Sequence, residues 1–209
     1  MVMANPYPET GTRSRTRRAI LSAAAATLSR RRDATLAEIS TAAEVGRSTL
    51  QRYYSERDEL MAAVIEDSLR LLNEALKDAR IEAGAPLEAL RRLVSAMLDV
   101  SDQVLFLYGD PRISESIASA DEPDTAGEDI RRLIRRGQDG GVLDPEVGAD
   151  WIEHVLWAHV SAGCMAISGG DMPRHGASDQ VIRTLENGIG AARHETGTAG
   201  TSTEGKGGS

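Results

Sequence analysis

An all-α protein is predicted by three features of the sequence. Apolar residues recur at helical spacing along most of the chain, Gly and Pro punctuate those runs where helices would end, and no segment has a convincing strand pattern. Residues 1–12, with Asn5-Pro6, Pro8 and Gly11, read as a flexible arm. A first helix is expected over about residues 14–30, with Ile20, Ala24 and Leu28 on one face. Two short helices and a tight turn follow, and then a long helix over residues 55–82, with Ser55 and Asp58 spaced as a capping box. Gly84-Ala85-Pro86 marks a break with Pro at a helix start, and residues 87–108 read as one amphipathic helix ended by Gly109-Asp110-Pro111. Shorter helices are expected over residues 112–119 and 129–138, the second with four exposed Arg. A long apolar helix over residues 146–167 and a last one over 178–193 complete the pattern. The Gly-, Thr- and Ser-rich tail from Thr196 is expected to be disordered.

Residues 35–60 carry the strongest signal. Thr35 and Glu38 have the S/T-x-x-E spacing in which two orphan donors of a helix start satisfy each other. Leu36, Ile39 and Ala43 then recur at helical spacing until Glu44-Val45-Gly46 breaks the run, and a helix of about two turns over residues 47–54 follows at once. A short helix delivered by a tight turn projects its N-terminal side chains into a major groove, so this is a helix-turn-helix candidate.

Charge is distributed to match. The chain as a whole carries −8, which by itself argues against nucleic acid. Residues 13–57, however, hold ten Arg against four Asp or Glu, a net +6, while residues 58–209 hold 14 basic and 27 acidic residues, a net −13. A local cationic patch attracts phosphate, and an acidic remainder discourages indiscriminate coating of a duplex.

From about Arg17 to Leu60 the sequence resembles the DNA-binding domain of the TetR/AcrR family of transcriptional regulators. The family pattern T-x-x-x-I-A-x-x-A-G-V-S-x-x-T-L-Y-x-H-F-x-S-K-E-x-L is met at Thr35, Ile39, Ala43, Val45, Thr49, Leu50 and Leu60. Tyr53-Tyr54 stands for its His/Tyr-Phe pair and Arg57-Asp58 for Lys-Glu. Three positions depart: Glu44 replaces the turn Gly, Gly46 the capping Ser, and Gln51 a Tyr. Gly remains an acceptable N-cap. The resemblance implies an N-terminal three-helix DNA-binding domain over residues 13–60. It also implies a C-terminal helical domain for ligand binding and dimerisation over residues 61–194, with a disordered tail at 195–209.

Side-chain chemistry assigns base contacts to Arg47, Ser48 and Gln51, on the early part of the second short helix. Arg pairs bidentately with guanine and Gln with adenine. Thr49, Arg52, Tyr53 and Arg57 stand at positions where the family grips phosphates, and Thr35 has a hydroxyl and an N–H to add. Ile39, Val45 and Leu50 are read as core, as is Tyr54. On the last two helices, small and apolar residues recur at Val155, Ala158, Ser161, Ala162 and Met165, and at Ile182, Leu185 and Ile189. With the resemblance these imply a symmetric homodimer on a palindromic double-stranded operator. The resemblance also implies a small-molecule effector. The region offered for it holds Met97, Ser101, Leu105, Tyr108, Trp151, His154, Trp157 and His159, an apolar wall with a few polar groups. With one Phe, four Tyr and two Trp, an aliphatic pocket of modest size fits better than an aromatic one.

Other functions find little support. His154 and His159 are five apart, as are His159 and Cys164, so neither pair shares a helix face as i, i+4 ligands do, and no metal or cofactor is expected. No Gly-rich phosphate loop or nucleophile elbow is present, so an enzyme is not expected. One cysteine excludes an internal disulfide, and no run of 18 apolar residues or signal-peptide core is found, so a cytoplasmic protein without a membrane span is expected. The rival reading is a helical small-molecule sensor that grips DNA weakly or without sequence preference, which the departures at Glu44, Gly46 and Gln51 leave open.

Overall fold

The computed structural model describes residues 11–119 and 125–190. The expected tail and most of the arm lie outside these residues, but Gly11 and Thr12 are helical. Among the described residues there are ten helices: α1 (Gly11–Arg30), α2 (Leu36–Ala42), α3 (Arg47–Tyr53), α4 (Arg57–Ala79), α5 (Pro86–Asp99), α6 (Ser101–Gly109), α7 (Pro111–Ala118), α8 (Thr125–Asp139), α9 (Ala149–Gly169) and α10 (Ala177–Ile189). The only pairing of strand type among them is an isolated bridge between Leu143 and Gly190, which ties the end of α10 to the loop before α9.

The head is α1 to α3 with the start of α4. Ile20, Ala24 and Leu28 are buried along one face of α1, as their spacing predicts, against Ile39 of α2 and Leu50 of α3. Each fully buried Ile or Leu side chain among these contributes about 1.5–3 kcal/mol relative to exposure. The capping box at α2 is closed in both directions: the Thr35 hydroxyl accepts from the Glu38 N–H, and the Glu38 carboxylate accepts from the Thr35 N–H at 2.7 Å. The expected box at Ser55 differs. α4 begins at Arg57, and Ser55 donates through both N–H and hydroxyl to Glu59, one residue beyond the predicted partner.

α4 runs from head into body and stops earlier than its sequence suggests, because Arg80 takes φ +44. Two arginines stabilise that ending. Arg92 donates to the carbonyls of Ala79, Arg80 and Ala83, and Arg136 to those of Ile81, Glu82 and Gly84. The Ala79 carbonyl is an orphan acceptor of the helix end, and those beyond the Arg80 cap belong to the loop that follows. Arg136 therefore departs from the expectation of four exposed arginines on α8: it is half-buried, as is Arg131, which pairs with Glu153 at 3.1 Å.

The single helix expected over residues 87–108 is two, broken at Val100, whose φ of −102° and ψ of 32° lie outside the helical region. No Gly or Pro marks the site. The stabilising contact comes from the loop before α10, where Arg174 donates to the Asp99 carbonyl at 3.2 Å and lies 3.7 Å from the Asp102 carboxylate. In the body α5 and α6 are packed by α8, α9 and α10, and α6 also lies along α1. At that head–body seam Arg30 donates to the Ser168 hydroxyl at 3.1 Å, and Arg32 lies 3.9 Å from Asp110.

Candidate nucleic-acid interface

The turn between α2 and α3 is made by Glu44, which adopts φ +56, and by the Val45 N–H donating to the Ser40 carbonyl at 3.0 Å. Gly46 then serves as N-cap in extended conformation, without a side-chain hydrogen bond. α3 is amphipathic over only seven residues. Leu50 points inward at 1% exposure, while Arg47, Ser48, Gln51 and Arg52 are exposed and Thr49 and Tyr53 half-buried. The three residues read as base-contacting thus share the solvent face of one short helix. Tyr54 is buried at 5% exposure and its hydroxyl accepts from Arg17 at 3.3 Å, so it belongs to the core. Burial raises its pKa above the ordinary tyrosine value, against the opposing hydrogen bond from Arg17.

The residues assigned to phosphate divide into two groups. Thr49, Arg52 and Tyr53 border the exposed face of α3. Thr35 and Arg57 are engaged within the head. The Thr35 hydroxyl and N–H both donate to Glu38. Arg57 donates to the carbonyls of Ala34 and Arg32. Sequence spacing pointed to the Thr35–Glu38 tie as a capping box but gave no sign of the two that Arg57 makes.

The eight effector candidates differ widely in burial. Met97 and Ser101 are buried, Leu105, Trp157 and His159 are half-buried, and Tyr108, Trp151 and His154 are exposed. The rings of His154 and His159 each hydrogen-bond through Nδ1 to the carbonyl four residues back, Asp150 and Val155, as side chains satisfied by their own helix. The Ser101 hydroxyl is buried without a protein partner. Leu105 lines a small cleft at the head–body seam with Leu28, Met61, Phe106 and Ile113. Cys164 is fully buried, which pushes its thiol up to about 12. Among the described residues no group of three or more His, Cys, Asp or Glu is placed to hold a metal, and no helix is long and apolar enough to cross a membrane.

Of the dimerisation candidates, Ala158, Ala162 and Met165 are exposed on α9, and Val155, Ser161 and Ile182 are half-buried. Leu185 and Ile189 are instead buried inside the protomer, at 1% and 4% exposure, because with Val181 they form the inward stripe of α10.

No family-wide sequence model matches the chain. The chain is 39% identical over 187 residues to the HTH-type transcriptional repressor LfrR of Mycolicibacterium smegmatis, covering 90% of this chain and 97% of LfrR. The crystal structure of LfrR, described as a TetR-like transcriptional regulator, superposes with a TM-score of 0.67 at 37% identity, over 86% of this chain and 99% of LfrR. This chain belongs to the TetR family of transcriptional regulators. The TetR-family assignment makes the α2–turn–α3 unit its helix-turn-helix and the helices beyond α4 its body. The same family relative, solved in complex with proflavine, superposes at a TM-score of 0.61 and 36% identity, over 84% of this chain and 97% of that one.

Proposed function

We propose that this regulator is a cytoplasmic homodimeric repressor that reads a palindromic operator through α3 and leaves it when a small molecule binds the body. The observation that carries the reading is the exposed stripe of Arg47, Ser48 and Gln51 on a helix whose opposite side is fixed by buried Leu50. A rigid inward anchor with free Arg and Gln termini outward is what base-edge recognition requires. Thr49 and Arg52 supply phosphate contacts at the flank, and Tyr53 borders them with its hydroxyl donated to the Arg13 carbonyl. Thr35 and Arg57 act chiefly by holding α2 and α4 in place. The exposed small residues Ala158 and Ala162 with Met165 on α9 are the proposed contact between subunits, and a two-fold dimer imposes the palindrome. Because the relative LfrR was solved with proflavine, compounds of that kind are the first effectors to try.

The test is selection of bound fragments from a fragmented source genome, with Arg47→Ala/Gln51→Ala as control. Recovery of one palindrome by the native chain and not by the variant is the expected result. Indistinguishable recovery by both, without a common sequence, would remove sequence-specific regulation and favour the sensor reading.

A further inference from the structure

The head contains an anion-suited crevice that the site residues above only partly account for. It is lined by Thr12, Arg13 and Thr16 of α1 and by Thr49, Arg52 and Tyr53 of α3. Two guanidinium-bearing side chains line it and no carboxylate does, while the hydroxyls of Thr16 and Tyr53 already donate to the carbonyls of Thr12 and Arg13. The two helices are joined here by the Tyr53 hydroxyl, which donates to the Arg13 carbonyl at 3.2 Å. The Arg13 guanidinium in turn lies over the Tyr53 ring, with Cζ 5.9 Å from its centroid. A guanidinium held over an aromatic face keeps its N–H donors in its own plane, where they match the fork of a phosphate.

Several other arginines of the head are engaged within the protein. Arg31 pairs with Glu38, Arg30 and Arg32 lie against Asp102 and Asp110, and Arg57 is held by backbone carbonyls. Arg15, between Arg13 and Thr16 in sequence, donates back to the Gly11 carbonyl and the Thr12 hydroxyl. Among the described residues neither Arg13 nor Arg52 has a carboxylate partner. Two such cations converging on one crevice repel each other unless an anion sits between them.

We propose that a DNA backbone phosphate seats in this crevice between Arg13 and Arg52, which makes the first turn of α1 part of the operator interface and Tyr53 the platform that holds Arg13. This rests on the DNA-binding reading given above. The placement agrees with it: Thr49 and Arg52 flank the residues assigned to base edges, and the strands of a major groove run past the flanks of a helix lying in it.

The experiment measures affinity of the full chain for its selected operator across a salt series. Arg13 is exposed in the first turn of α1, and its carbonyl bond to Tyr53 survives side-chain substitution, so Arg13→Ala is expected to fold with an unchanged melting temperature. It should weaken binding about five- to tenfold and reduce the salt slope by about 1, with base preference unchanged. Arg13→Lys should keep the slope. Arg13→Ala/Arg52→Ala should lose less than the product of the single losses, because both grip one phosphate. Native affinity and slope in Arg13→Ala, alongside lost base preference in Arg47→Ala, would overturn this proposal and leave the functional reading standing. Absence of any preferred sequence in the native chain would overturn both.

Discussion

Arg57, the first residue of α4, donates to the carbonyl oxygen of Ala34, a fully buried residue in the turn between α1 and α2. A second guanidinium nitrogen reaches the Arg32 carbonyl at 2.9 Å. One side chain thus fixes the angle at which α4 leaves the head. Arg57→Ala is expected to lower stability by about 1–3 kcal/mol, the range for charge-assisted hydrogen bonds whose loss strands a buried acceptor. Urea denaturation reads this directly, without DNA. Equal stability of variant and native chain would show that the tie contributes nothing.

Glu44 adopts φ +56 in the turn of the helix-turn-helix. The left-handed region costs an L-residue roughly 1–2 kcal/mol, while Gly loses about 0.5–1 kcal/mol in backbone entropy on folding. Glu44→Gly is therefore expected to stabilise the chain by up to about 1 kcal/mol, seen as a higher urea midpoint at unchanged slope. The substitution also removes a carboxylate from the head, so affinity for any duplex should rise at low salt and converge with the native value at high salt.

Gly163 lies where α9 passes closest to α5 and α10. A Cβ there would meet Leu98 Cδ2 and Val181 Cγ2, each at 2.8 Å. Gly163→Val is expected to destabilise the body by about 1–3 kcal/mol through overpacking. Gly163→Ala should come out closer to neutral, since the gain in helix propensity, about 1 kcal/mol, offsets a smaller clash. Thermal melts of the two variants side by side test this ordering.

The Glu38 carboxylate is held below its ordinary value of 4.5, first by the Thr35 N–H, then by the Thr35 hydroxyl and Arg31. A lowered folded-state pKa means that the stabilisation is in place above the ordinary value and is lost as pH falls through the folded one. The melting temperature of Glu38→Gln should lie below that of the native chain at pH 7. The gap should narrow as pH drops past about 4.5. A gap independent of pH down to 3 would rule out the charge as its source.

The sequence by itself determined the helical fold class, the capping box at Thr35, the inward residues Ile39 and Leu50 and the outward stripe at Arg47, Ser48 and Gln51. All of these depend on spacing within one or two turns of helix, where i, i+3 and i+4 neighbours are set by geometry alone. Tertiary structure decided the rest. The break at Val100 is held by Arg174, more than 70 residues away. The end of α4 is held by Arg92 and Arg136. Leu185 and Ile189 turned inward, and Arg57 was engaged by backbone carbonyls within the head. Periodicity shows that a helix has an apolar face without naming what covers it. An arginine's reach is likewise long enough for its partner to be chosen by packing between distant segments.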